Sequence, residues 1–244
     1  MTYPFGSTLK PGSAPTAVAT PSAELEAYFR QPVDPANVDR HDLELNLLTR
    51  EQSAELTLAI LDEPIIAMLG GIVLDDGNTS NHHVYLTQAP LSGSILYWQH
   101  DDSAYIAFAD LPAFLEAVEQ AKKEECWLTD LHVHPYPVLE DQAGLRQFIH
   151  AMLDEDTEEH FKIADTLIPA LALTDLDLLA RLVNHPYYFF AESVASAIRD
   201  RPDPALTALA RQCSEHSNYQ VRWAGDSALA AIQERAENGT AVDE

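Results

Sequence analysis

Hydrophobic and polar positions follow two different periods along this chain, and the change of period marks its first clear unit. Ile72–Leu74 and Val84–Thr87 are apolar or β-branched runs, separated by the turn formers Asp75-Asp76-Gly77-Asn78. Ser94–Trp98 and Tyr105–Phe108 flank Asp101-Asp102, the acidic tip of an expected hairpin, with Ile95/Tyr97 and Ile106/Phe108 on the period of two that a half-buried strand requires. After Asp110, an N-cap residue, the period lengthens. Leu111, Phe114, Leu115 and Val118 fall on one face of a helix running to about Lys123. The pattern predicts three antiparallel strands closing onto a helix, a sheet with one covered face.

Upstream, Pro11–Ala23 is Pro, Gly, Ser, Ala and Thr except for Val18, and reads as an extended arm over residues 1–23. Ser22–Arg30 carries Leu25, Tyr28 and Phe29 on one side of a short helix. Gln31–Asn37 is a proline-containing connection. The alternating Leu43, Leu45 and Leu47 suggest a strand over Val38–Leu48, and Thr49 caps a helix with Glu51 and Gln52 in its first turn. From Cys126 to Leu139 the chain is loop-like, with Pro135 and Pro137, so 24–125 and 141–237 are expected as two domains joined by a linker at 126–140, with a tail at 238–244.

The C-terminal half reads as helical. Asp141–Leu153 places Leu145, Phe148, Ile149 and Met152 at helical spacing. The acidic break Asp154–Glu159 precedes a helix over Phe161–Leu173. An internal repeat follows. Leu179-Ala180-Arg181 recurs as Leu209-Ala210-Arg211, His185 and Tyr188 recur as His216 and Tyr219, and Ser196-Ala197-Ile198 answers Ser227-Ala228-Leu229. Each unit predicts helix, tight turn, helix: Thr174–Val183 then Tyr187–Asp200, and Pro204–Ser214 then Tyr219–Ala236. Asp203-Pro204 supplies an N-cap with proline in the first turn. Two units cannot bury their faces alone, so the helices between about Asp141 and Leu173 are expected as a third pair.

Charge adds the second strong feature. The 244 residues carry a formal charge of −25, with 39 acids against 14 Lys plus Arg. Residues 1–128 hold 19 acids and 6 bases and residues 129–244 hold 20 and 8, so the halves stand at −13 and −12. Such a surface disfavours nucleic acid, whose phosphates require a basic face. It favours a basic partner, whose association it accelerates. Two distant cysteines, Cys126 and Cys213, are no disulfide framework. Without a signal-peptide pattern or an apolar membrane-spanning run, a reduced, cytoplasmic setting is expected.

Two resemblances follow from these residues. Gly70-Gly71 before the first strand, the DDGNTSN turn at Asp75–Asn81, Pro90-Leu91-Ser92-Gly93, His100-Asp101-Asp102 and the ADLPAFLEAV segment with Leu111 and Phe114-Leu115 together resemble the SUKH superfamily over roughly 55 residues. That fold is shared by a yeast cell-wall assembly regulator and many bacterial immunity proteins. The paired C-terminal helices, with Ala191, Ala195, Ala224 and Ala228 on the inner helices and Val221-Arg222-Trp223-Ala224 in the second, resemble HEAT repeats. In this chain Gly225 stands where alanine is more usual. The fold class expected is therefore α+β, a mostly antiparallel SUKH-like sheet with packed helices followed by an all-α, HEAT-like short solenoid.

Candidate chemistry is sparse. His132 and His134, in Asp130-Leu131-His132-Val133-His134-Pro135, would share a face on a strand and offer two ligands of a metal-dependent hydrolase. Few residues remain to complete such a set, and a linker with two exposed histidines is the simpler reading. His82-His83 reads as a surface or satisfied pair, Cys126 as a plain buried thiol. No GxSxG elbow, GxxxxGK[ST] phosphate loop or helix-opening GxGxxG occurs. The expectation is a non-enzymatic protein-binding module without cofactor or metal. The resemblance implies an immunity-type protein that neutralises a basic toxin partner, such as a nuclease, by occluding its surface. Its contact residues are expected at the turn tips, Asp75, Asp76, Asn78, Asn81, Asp101 and Asp102, with Trp98 as an aromatic anchor. The alternative is an intracellular scaffold or regulator binding through the helical repeats.

Overall fold

The structure, a computed structural model, describes residues 22–101 and 103–240. The expected arm therefore lies outside the described residues except for its last two positions. There, the Ser22 hydroxyl accepts the Leu25 N–H and opens helix α1 (Ala23–Arg30).

Leu43, Leu45 and Leu47 are all buried, but the strand expected around them does not form. His41–Leu43 is a 3-10 turn closed by Glu44 in the left-handed region, and only isolated bridges pair Arg40 with Leu45 and Leu47 with Asp75. The alternation recorded burial beneath the sheet rather than a ladder. Thr49 caps α2 (Arg50–Ala59) through a reciprocal capping box with Gln52. Pro64 then opens the short α3 (Pro64–Leu69), which ends at Gly70 in the left-handed conformation.

Four strands follow rather than three: β1 (Gly71–Val73), β2 (Asn81–Leu86), β3 (Ile95–Gln99) and β4 (Tyr105–Phe108), an antiparallel meander in sequence order. Helix α4 (Leu111–Glu124) is capped by Asp110, whose carboxylate accepts the Ala113 N–H. Both faces of the sheet are covered, not one. Tyr85, Ile95, Tyr97 and Phe108 pack with Leu25 of α1 and with Phe114 and Val118 of α4. On the other face Val84, Leu96, Trp98 and Ile106 meet Ile66 and Leu69 of α3. This is why the strands read as nearly continuous apolar runs. Ile106 and Phe108, expected on one face, lie in different clusters because Ile95 and Leu96, adjacent on β3, pair with Phe108 and Ile106, leaving Ala107 as a bulge.

The helical half is α5 (Gln142–Glu155), α6 (Glu158–Leu167), α7 (Leu176–Val183), α8 (Phe189–Asp200), α9 (Thr207–Ser214) and α10 (Tyr219–Thr240). The last helix runs past the expected end of the domain, into the segment expected as a tail. The repeat is structural in its turns. Tyr187 N–H donates to His185 Nδ1 at 3.1 Å, and Asn218 N–H donates to His216 Nδ1 at 3.0 Å, so the recurring histidines close the same bend twice. Gly225 permits the close approach of α10 to α9. A Cβ there would stand 2.6 Å from the Cys213 carbonyl carbon. The outer face of the sheet shares its core with this half: Leu69, Trp98 and Ile106 belong to the same buried cluster as Leu145, Ile149, Ile163 and Leu167. Between the halves, Leu128 is buried against the α4 side and Leu139 against the helices. Among the described residues no helix is long and apolar enough to cross a membrane.

Candidate binding cleft and a buried histidine chain

Asp75 does not stand on an acidic rim. It follows β1, is 2% exposed, and turns its carboxylate inward. Oδ1 accepts the His83 backbone N–H at 2.7 Å and Oδ2 accepts the His83 ring Nδ1–H at 2.7 Å. The opposite nitrogen, Nε2, lies 2.8 Å from His132 Nε2, and His132 Nδ1 lies 2.8 Å from the Tyr105 hydroxyl. The Asp75 carboxylate can only accept, so His83 donates from Nδ1; one proton is shared between His83 Nε2 and His132 Nε2, and one between His132 Nδ1 and the Tyr105 hydroxyl. Burial, reinforced by the neighbouring His83, lowers the His132 imidazole to about 3, so the ring is neutral.

This arrangement corrects the expectation that both histidines of 126–140 are exposed. Within this loop-like segment Leu128–Leu131 forms a 3-10 turn, and His132 folds in among Tyr97, Tyr105 and Phe108. Only His134 remains exposed, 3.8 Å from Asp200 of α8. The two histidines therefore do not share a face. Nor does His132 form a ligand pair with His83, since 2.8 Å between their nitrogens is a hydrogen bond with no room for an ion. No group of three or more His, Cys, Asp or Glu side chains is placed to hold a metal among the described residues. Cys126 is half-buried rather than buried, while burial raises the Cys213 thiol to about 12.

A cleft of about 700 Å³ opens between the β3–β4 hairpin and the helical half. Its acids are Glu63, Asp101, Glu158, Glu159 and Asp165, and its one Lys or Arg is Lys162, held by Glu158 at 2.9 Å. Trp98, Tyr187 and Phe189 supply aromatic surface. Trp98 is fixed in a stack, parallel to His82 at 5.9 Å and to His100 at 6.1 Å. His82 is itself oriented by donating Nδ1–H to the Asp75 carbonyl at 3.1 Å. One residue thus orders both the histidine chain and a wall of the cleft. A second cleft of about 420 Å³ adjoins the first through Ser103, Asp165 and Phe189, and continues past Tyr136, Glu192 and Arg199.

Asp165, shared by both clefts, is the unusual group. Its Oδ1 is closed off from solvent and has no hydrogen-bond partner. Burial pushes the carboxyl up to about 6; a hydrogen bond from Ser193 works against this and the charge of Glu192 adds to it.

Of the expected contact residues, Trp98 and Asp101 line the larger cleft, Trp98 being mostly buried and Asp101 exposed. Asn81 supports the hairpin from behind, its side-chain oxygen accepting the His100 N–H at 3.3 Å. Asp76 accepts the Asn78 N–H at 3.1 Å, a local turn contact outside the cleft. Asp75 is too buried to touch a partner, and Asp102 lies outside the described residues. Sequence reasoning passed over Asp165, Tyr187 and Phe189. A signal was present: Phe161, Asp165 and Ile168 are spaced four and three apart, which puts an acid on the apolar stripe of α6.

Against known proteins, no family model, no curated protein and no solved structure matches this chain.

Proposed function

We propose that the chain is a non-enzymatic binding module of the immunity type implied by the SUKH resemblance, and that it neutralises a basic protein by occupying its working surface. The observation that carries this reading is the larger cleft, where five acids face one already-paired lysine beside three aromatic rings. Acidic and aromatic groups together favour Lys and Arg side chains, by charge and by cation–π contact. The overall −25 charge extends the attraction over the whole surface.

The test begins with capture of partners from source-cell lysate at low salt and elution by a salt gradient. The association rate of the captured protein is then measured against the parent chain and Asp101→Lys. A basic partner whose rate falls several-fold with Asp101→Lys, and steeply with salt beyond a Debye length of ~10 Å at 0.1 M, fits the proposal. A rate indifferent to both salt and the substitution rejects it.

A second reading, a scaffold whose HEAT-like helices do the binding, is favoured by Tyr219 and Trp223. These sit one turn apart on α10 and are 71% and 61% exposed. In that case Trp223→Ala weakens partner capture and Asp101→Lys does not.

A further inference from the structure

Three features compete for a further role: the histidine chain, the exposed Tyr219–Trp223 face of α10, and a separate cleft where α10 meets the loops before α7 and α9. The histidine chain has its hydrogen bonds made from Asp75 to Tyr105 and presents no reacting atom to a cavity. The α10 face has nothing against it that specifies an occupant. The separate cleft, of about 410 Å³, gathers Arg201 and Arg235 among apolar side chains, and that combination does specify one.

We infer that this cleft is a binding site for a small organic monocarboxylate, with Arg201 and Arg235 taking the carboxylate and the apolar wall taking the rest of the molecule. The inference is independent of the proposed immunity role and uses neither of the clefts beside the hairpin. In a chain of 39 acids and 14 Lys plus Arg, two guanidiniums on one cleft run against the composition. Neither forms an ion pair among the described residues. Arg201 donates to the carbonyls of Leu171 at 2.5 Å and Pro169 at 2.7 Å, and Arg235 donates to the Pro202 carbonyl at 2.6 Å. These neutral acceptors fix both side chains and leave the remaining N–H groups of each fork unused. Arg201 is half-buried and Arg235 exposed, so both can be reached from solvent. Burial holds Arg201 below the usual arginine range, and Asp200, whose charge opposes that shift, is taken by Arg199 at 2.7 Å. A partly desolvated cation ordinarily has an anion beside it, and the chain's own side chains do not supply one here. The acid on the cleft, Asp203, turns its Oδ1 to the Ala205 N–H at 2.8 Å.

A carboxylate on an apolar body fits better than a phosphate. Guanidinium forks match either oxyanion, so the choice falls to the surroundings. The −25 charge of the chain repels every anion, and a dianion twice as strongly as a monoanion. The walls decide the rest. Leu176 is 48% exposed on this cleft, and Leu173, Ala205 and Leu206 continue the apolar surface. Covering that surface with a hydrocarbon body adds attraction that inorganic phosphate cannot supply.

The experiment is a titration of the full-length, isotope-labelled protein with hexanoate, neutral hexanamide, acetate and inorganic phosphate, followed by amide NMR shifts. The expected result is saturable shifts centred on Thr174, Leu176, Ala205 and Arg235 for hexanoate, weaker for acetate and phosphate, and absent for hexanamide. Arg235→Gln, with its dispersed spectrum as the folding control, should weaken hexanoate binding about tenfold, the worth of a hydrogen bond to a charged group. Leu176→Ser should weaken hexanoate and leave acetate unchanged, as a second probe of the same place. No saturable shift at these residues with hexanoate overturns the inference. So does binding equal for hexanoate and hexanamide, binding unchanged in Arg235→Gln, or phosphate held more tightly than hexanoate.

Discussion

The Asp75 carboxylate and the Oδ1 of Asp165 are both withdrawn from water, and they are held in opposite ways. Asp75 has both oxygens taken by His83, whose ring passes the chain on to His132 and Tyr105. Asp165 receives a hydrogen bond from Ser193, but its Oδ1 is closed off from solvent without a hydrogen-bond partner. A satisfied buried carboxylate fixes a structure, and removing it strands its donors. An unsatisfied one is a standing cost to the fold. The sheet therefore contains a finished polar network, and the boundary with the helices contains an incomplete one.

The largest expected effect breaks the finished network. Asp75→Ala leaves the His83 backbone and ring N–H groups buried without acceptors, and should cost about 3–5 kcal/mol, read as a lowered denaturation midpoint. A loss below about 1 kcal/mol would mean that Asp75 is not what holds β1 to β2.

Next in size, and opposite in sign, is Asp165→Asn. The folded carboxyl titrates near 6 against 3.8 for the free group, so folding favours its protonated form. That contribution is fully present below about pH 3.8 and is lost as pH rises through 6. At pH 7 the ionised group costs on the order of 2–3 kcal/mol, which the amide removes. Asp165→Asn should therefore melt above the parent at pH 7 and lose its advantage by about pH 4. The charged and titratable groups around it that could distort the curve are Glu192 on α8, Glu158 and Lys162 on its own helix, Tyr187, and Ser193 as hydrogen-bond donor. A variant less stable than the parent at pH 7 would remove the contrast between the two carboxylates.

The smallest effect sharpens it. Tyr105→Phe deletes the outer link of the histidine chain and should cost about 1 kcal/mol, the net worth of an ordinary hydrogen bond. The same chain sets an acid limit. The folded His132 lies near 3, below the ordinary 6.5, so its contribution is present above 6.5 and lost as pH falls toward 3. Replacing His132 with Phe should flatten the acid limb of the stability profile while leaving the Asp165 limb in place, which urea titrations between pH 4 and 7 would show.

Much of this architecture was legible in the chain. The α4 stripe after Asp110, the Thr49 cap and the paired C-terminal helices with their recurring Leu-Ala-Arg and histidine positions all obey local rules. A cap, a 3.6-residue period or a turn is decided within a few residues of itself. The four apolar runs behind β1–β4 were legible too, although only three strands were expected from them; the second covered face and the fate of Leu43–Leu47 were not, because apolar alternation reports burial without saying which partner provides it. The candidate site was partly legible. Trp98 and Asp101 stood out as an aromatic and an acid near a turn, whereas Asp75 in the same kind of turn proved to be interior.

By itself, then, the sequence determined most of the helices, the acidic composition and the repeat, since each depends on short-range chemistry or on composition, whereas the short α3 and the 3-10 turn at His41–Leu43 were not foreseen. Only the tertiary structure decided that His132 belongs to His83 at a separation of 49 residues, that Leu128 and Leu139 of the connecting segment are buried in different clusters, and that the Oδ1 of Asp165, beside two clefts, is left without a hydrogen-bond partner. Those facts depend on which distant side chains arrive at the same place, and that is fixed by how the sheet and the helices bury each other's apolar faces.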